Sequence, residues 1–225
     1  MTYKEWEQSS GNKVIASSPF SEKVFDFIPK EGRVLDLGCG DGRLSKIIKA
    51  HGFETYGMDI NPAAINLAKA KPDYVGIVFS IQDAKSTTYE DDFFDAVIEQ
   101  AVLACVEKSS RFAVLTEVYR ILKPGGVLSI AEFGFKEDLH ERYRGDALAS
   151  GEYGTVVVKS DDGMKPFRSH HFRVEELDAL IHDTGFEIIQ SAHPNFITRS
   201  GNEHPGHQYI VRKIYTHHTM KPNFP

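Results

Sequence analysis

Arg33 to Leu44, read as Arg-Val-Leu-Asp-Leu-Gly-Cys-Gly-Asp-Gly-Arg-Leu, constrains the fold more than any other stretch of the chain. Val34, Leu35 and Leu37 make a nearly continuous apolar run, the pattern of a parallel strand covered on both faces. Gly38, Gly40 and Gly42 follow at once, and a helical pattern opens at Leu44 with Ile47 and Ile48. A strand that feeds a glycine-rich turn and then a helix brings bare backbone N–H groups against a ligand. The spacing is Gly-x-Gly-x-Gly, with Arg43 where a dinucleotide fingerprint would place its third glycine. Asp36 lies inside the strand, where a pyrophosphate has little use for a negative charge. A ligand bearing an ammonium group would welcome one.

Strand and helix patterns alternate from that point on. Strand-like runs fall at Arg33–Leu37, Glu54–Met58, Gly76–Ser80, Phe94–Glu99 and Gly126–Phe133, and helical patterns at Arg43–His51, Pro62–Ala70 and Ser110–Leu122. Asn61-Pro62 reads as an N-cap followed by a first-turn proline. Phe112, Leu115, Val118, Tyr119 and Leu122 recur at helical spacing and predict a face turned to the sheet. Pro124-Gly125-Gly126 ends that helix and starts the next strand. Such alternation predicts a parallel sheet with right-handed crossovers and helices on both faces.

The rhythm then breaks. Gly134 to His170 holds a polar helical stretch at Lys136–Arg144, a short run at Thr155–Lys159 and a turn at Asp161-Asp162-Gly163. A connection this long inside a compact alternation is usually functional. Val174, Leu177, Leu180 and Ile181 resume a helical stripe that Gly185 stops, and Phe186–Ala192 and His207–Tyr215 read as two final strands.

Taken in order, these features resemble the class I S-adenosylmethionine (SAM) methyltransferases. The likeness runs from Val34 to Phe133 and resumes more weakly from Phe172 to Arg212. It implies an α/β, Rossmann-like doubly wound sandwich with a mixed seven-stranded sheet, the last strand antiparallel, and a cap inserted between strand 5 and the following helix. SAM is the implied cofactor, held by Asp36, Gly38, Cys39, Gly40 and Gly42 of the first motif. Asp59, about 20 residues beyond the turn, would accept both ribose hydroxyls. The resemblance places Ile60 on the adenine face, with Asp83 and the N–H of Ala84 on the adenine edge. Asp83 also reads as a solvated loop carboxylate. Phe94 to Glu99 resembles the fourth motif, whose strand delivers Glu99 and Gln100 beside the methionine part of SAM. Arg173 departs from the pattern, since relatives often carry a helix-capping Thr or Ser there.

Composition narrows the acceptor. The formal charge is −6, from 26 Lys plus Arg against 32 Asp plus Glu, and the basic residues are dispersed. Proteins that grip nucleic acid usually show a basic patch, so nucleic acid is disfavoured as a partner. Glu99-Gln100-Ala101-Val102 also lacks the Asp-Pro-Pro-Tyr type of sequence that marks methylation of base amino groups. Cys105, with no preceding proline, reads as core packing rather than a nucleophile. A small-molecule acceptor is therefore expected, bound under the cap by Phe133, Phe135, Tyr143, Tyr153, Phe167 and Phe172. His140, His170 and His171 are candidate bases, and His171 is the best placed as the catalytic one. His204-x-x-His207 and His217-His218 lack the companion ligands of a structural zinc site, and no metal is expected.

The expected organisation is an N-terminal helical lid at 1–30, a methyltransferase domain at 31–215 with its cap at 134–171, and a tail at 216–225. Tyr3 and Trp6 would lie on one side of that lid. The polar start of the chain, two cysteines and no apolar run of bilayer length predict a cytoplasmic protein without a membrane span. The sequence leaves the oligomeric state open. Two rival functions stand beside methyl transfer: a silent SAM-binding regulator or partner subunit, and an NAD-dependent oxidoreductase, which Arg43 and Asp36 argue against.

Overall fold

The computed structural model describes residues 20–158, 167–197 and 202–214. Tyr3, Trp6, the Asp161–Gly163 turn, His217, His218 and the tail lie outside them. The sheet starts from β1 (Arg33–Leu37), whose apolar run is buried on both sides as its composition predicts. β2 (Glu54–Asp59), β3 (Val78–Ile81), β4 (Phe94–Gln100) and β5 (Leu122–Phe133) join it in parallel, in the order β3-β2-β1-β4-β5. β10 (Glu203–Lys213) runs antiparallel to β5, and β8 (Phe186–Ala192) lies antiparallel to β10. The main path thus has the expected seven strands. A short β9 (Asn195–Ile197) pairs with the start of β10 as an eighth.

Local sequence explains where the helices start and stop. α1 (Arg43–Ala50) opens after Gly42, whose φ of 82° only glycine adopts at low cost. α2 (Pro62–Lys69) is capped by Asn61, whose side chain accepts from the N–H groups of Ala63 and Ala64. α3 (Lys108–Ile121) starts two residues earlier than its apolar pattern. Its buried face includes Arg111, Val114, Leu115, Val118 and Ile121, while Phe112 is 48% exposed, correcting the predicted face. Arg111 has fixed the helix phase: its guanidinium is buried by ion pairs, so the position one residue later turns outward.

Between β5 and α5 (Val174–Thr184) the chain builds the cap. It contains a short 3₁₀ turn at Glu137–Leu139, then α4 (His140–Ser150), and a hairpin of β6 (Thr155–Val158) with β7 (Phe167–His170). α4 runs six residues past the predicted helical stretch, until Gly151 ends it at φ 72°. The neck is narrow. The N–H of Phe172 donates to Phe133 O at 2.8 Å, and that of Phe135 to Phe172 O at 2.7 Å. Arg173, the uncapped start of α5, instead lays its guanidinium over the Phe135 ring at 3.8 Å.

Candidate cofactor and acceptor site

Gly38, Gly40 and Gly42 all adopt positive φ, of 70°, 54° and 82°. Their surroundings differ. A Cβ on Gly38 would come within 2.4 Å of Val102 Cγ2, and one on Gly42 within 2.8 Å of Phe79 and Tyr74. One on Gly40 would meet nothing within 4 Å. Two of these glycines are therefore demanded by packing, and the third borders open space.

Asp59 stands at the end of β2 and ties the turn in place. Its Oδ2 accepts from Gly40 N at 2.9 Å and its Oδ1 from Asn61 N at 2.8 Å. Burial pushes this carboxyl up from its ordinary range. Asp36 is placed differently from a simple ammonium partner. It is buried beneath the turn, accepts from Ser45 Oγ at 2.6 Å, and is bonded by the Ser45 backbone as well. It thereby serves the first turn of α1, which Gly42 has no side chain to cap. Burial raises its pKa to about 7.

Cys39 packs in the turn, buried, with its thiol pushed up by burial, as expected for an inert side chain. Ile60 is half-buried. Asp83 and Ala84 form a short turn after β3, where Asp83 Oδ1 accepts from Lys85 N at 3.0 Å. Glu99 is buried at the end of β4, and its Oε1 takes the N–H groups of Val102 at 2.6 Å and Leu103 at 3.2 Å. Gln100, half-buried, ends the same strand. β1, β2, β3 and β4 therefore bring the predicted cofactor residues to one edge of the sheet, at their carboxyl ends, where open α/β folds bind ligands.

The family model for a methyltransferase domain matches residues 35–130. A SAM-dependent methyltransferase from Methanosarcina mazei, of known crystal structure, is 30% identical, with a TM-score of 0.79 over 86% of this chain and 98% of that one. The chain belongs to the SAM-dependent methyltransferases. Among curated relatives, the 2-methyl-6-phytyl-1,4-hydroquinone methyltransferase of Synechocystis is 33% identical over 50% of this chain. Sterol 24-C-methyltransferase ERG6A of Gibberella zeae is 31% identical over 71% of it. The chain spans 36% and 41% of the lengths of those two proteins. Membership settles the cofactor of this methyltransferase as SAM.

Among the expected acceptor residues, Phe133 and Phe167 are buried. Phe172 is fully buried in the core with the Arg111 guanidinium 4.9 Å from its ring, so it is no pocket wall. Phe135, Tyr143 and Tyr153 pack on one another, with Phe135 stacked on Tyr143 at 4.6 Å. Of the histidines, His140 is exposed and bonds the Tyr153 hydroxyl. His170 is locked between Thr155 Oγ1 at 3.0 Å and Glu176 Oε2 at 2.9 Å. His171 is buried beside Phe133, with its Nδ1 2.8 Å from the Tyr143 hydroxyl. Burial, then the neighbouring His204 and His170, holds it neutral, well below the usual histidine range.

Arg111 was not anticipated. It donates to both oxygens of Glu152, at 2.6 and 2.8 Å, and to Glu176 at 3.2 Å. Glu152, His170 and Glu176 gather their ligand atoms within 4.8 Å, a spacing a metal could use. The Arg111 guanidinium already supplies the cation there. His204 and His207 likewise bond Pro205 O and Phe172 O rather than facing a shared centre. Cys105 is half-buried rather than core, and with Lys108, Arg111, Thr155 and Arg168 it lines a cavity of about 550 Å³ between α3 and the cap.

Proposed function

We propose that this SAM methyltransferase moves a methyl group to a small organic acceptor held between the sheet edge and the cap. The observation that carries it is the Gly40 approach. A backbone at positive φ, tied to Asp59, borders open space on the ligand side of an otherwise packed turn. SAM supplies an already activated methyl group on a sulfonium. The chain's residues then need only hold nucleophile, carbon and sulfur in line, an orientation effect that can supply up to ~7–11 kcal/mol.

A hydroquinone and a sterol figure in the names of the two curated relatives, which supports a small organic acceptor. The surface charge supports it too. Lys46 pairs with Asp73, Lys71 with Asp41, Arg142 with Asp146 and Arg144 with Glu141, so these cations are neutralised by acids rather than offered to a polyanion. No helix among the described residues is long and apolar enough to cross a membrane. Two free cysteines without a disulfide fit a reducing, cytoplasmic setting.

For an acceptor whose proton must leave, His171 is the proposed base. Burial holds the ring neutral, and in the tautomer that carries its proton on Nδ1, toward the Tyr143 hydroxyl, Nε2 keeps a lone pair for the acceptor's proton. Calorimetry with SAM and S-adenosylhomocysteine (SAH), then a product screen over phenolic, sterol-like and amine acceptors, tests the reading. Heat with neither ligand overturns it; heat without any product leaves a silent SAM-binding protein instead. His171→Ala should lower turnover roughly 10²–10⁴-fold on a protonated acceptor at unchanged SAM affinity. Full turnover would remove that role.

A further inference from the structure

β5 is buried without interruption from Val127 to Phe133, and one member of that run is Glu132, with no exposed surface at all. On the neighbouring strand Glu99 is registered with Ile130. Glu132 therefore stands two residues further along and on the same face. Each carboxyl uses one oxygen on the loop after β4: Glu99 Oε1 on the N–H groups of Val102 and Leu103, Glu132 Oε1 on that of Ala104 at 3.1 Å. Their second oxygens, Glu99 Oε2 and Glu132 Oε2, are buried and have no donor. Two carboxylates facing each other in a dry interior repel, and both oxygens stay unsatisfied. One shared proton turns one of them into a donor to the other.

We propose that Glu132 is a positioning residue: a single proton shared with Glu99 joins the two side chains into one unit that sets the 102–104 loop against the cofactor turn. The inference rests on the reading of Glu99 as a cofactor-site residue. The loop reaches both halves of the molecule. Val102 is the side chain packed against Gly38, and Ala104 O accepts from His170 N of the cap at 2.9 Å. Burial pushes both carboxyls up; the Glu99 charge and hydrogen bond push Glu132 further, while the bond from Glu132 holds Glu99 back. The other groups around Glu132 are Arg111 from α3, the Cys105 thiol from the loop and His207, its partner in β10. Arg111 is committed to Glu152 and Glu176, and His207 to Phe172 O, so neither neutralises the pair.

The test is SAH titration by calorimetry on the full chain, from about pH 6 to about pH 10, with wild type, E132Q and E132A. SAH lacks the sulfonium but keeps an α-ammonium that titrates toward the alkaline end, so the pair is read from the difference between wild type and E132Q at each pH. Wild-type affinity should fall about tenfold toward the alkaline end as the shared proton leaves. E132Q keeps an N–H for Glu99 that does not titrate, and should bind as wild type does near neutrality and lose less affinity than wild type toward the alkaline end. E132A should bind about tenfold more weakly throughout. Thermal unfolding of wild type and E132Q over the same range gives a readout independent of cofactor, with the alkaline loss confined to wild type. Should E132A fail to fold, the comparison of wild type with E132Q decides alone. Matching pH profiles for those two in both measurements overturn the inference. Absence of SAH binding by wild type at neutral pH would overturn the functional reading, while the unfolding comparison would still judge the pair.

Discussion

The glycine turn and the cap are held by opposite means. In the turn, main-chain atoms do the work: three glycines at positive φ, and Gly40 N on Asp59. In the cap, side chains far apart in sequence do it: Arg111 reaches Glu152 41 residues away and Glu176 65 residues away. A backbone cradle tolerates almost no change of residue but needs few partners. A side-chain clamp tolerates drift at each position provided the charges stay matched. One scaffold can thus keep a cofactor while its acceptor chamber is remodelled.

Four substitutions would break or sharpen that contrast. Arg111→Ala should have the largest effect, since it strands Glu152 and Glu176 near a buried site at a cost of about 3–5 kcal/mol. Limited trypsin digestion should then cut the cap at Arg142 and Arg144 first. If the two regions are separate devices, SAM affinity falls by less than about tenfold. Gly38→Ala should follow at about 2–5 kcal/mol, from strained φ and the overlap with Val102. Denaturant unfolding would show that loss, together with collapse of SAM binding.

Asp36→Asn tests the carboxyl beneath the turn through its pH dependence. Its folded pKa, about 7, lies above the unfolded value of 3.8, so the folded state prefers the protonated form. Its contribution is full below the unfolded pKa and is lost as pH rises to about 7. The variant should therefore flatten the stability profile across that window and be more stable than wild type above it, by up to a few kcal/mol. An unchanged slope in urea titrations at several pH values would contradict the burial. Gly40→Ala is the mildest change to the fold, about 1–2 kcal/mol for the strained φ alone. Its Cβ enters the open space, so SAH affinity should drop about tenfold or more. Comparable losses in stability and affinity would mean that space is not the cofactor's.

The same contrast explains what could be read before the fold was known. β1 falls at Arg33–Leu37, Asn61 caps α2 and Gly185 ends α5 at φ 93°, all as the sequence predicts, because each depends on residues within a few positions. The phase of α3 was misjudged at Phe112, since the burial of Arg111 depends on acids in the cap and in α5. Phe172 was expected in a pocket and lies in the core, because the neck places it there. β7, polar at three of its four positions, gave no periodic signal and exists only through β6. Glu132 was missed as well, though an acid inside the apolar run from Val127 to Phe133 was a visible signal.

What the chain order settled was the alternating sheet and the ligand-facing turn, since glycine torsions, helix caps and apolar runs act over a few bonds. What needed the folded molecule was every pairing between distant charges: Arg111 with the cap's acid, and Glu99 with Glu132. Burial makes an unmatched charge costly, and which charges are buried together is decided only when separate strands and helices close on one another.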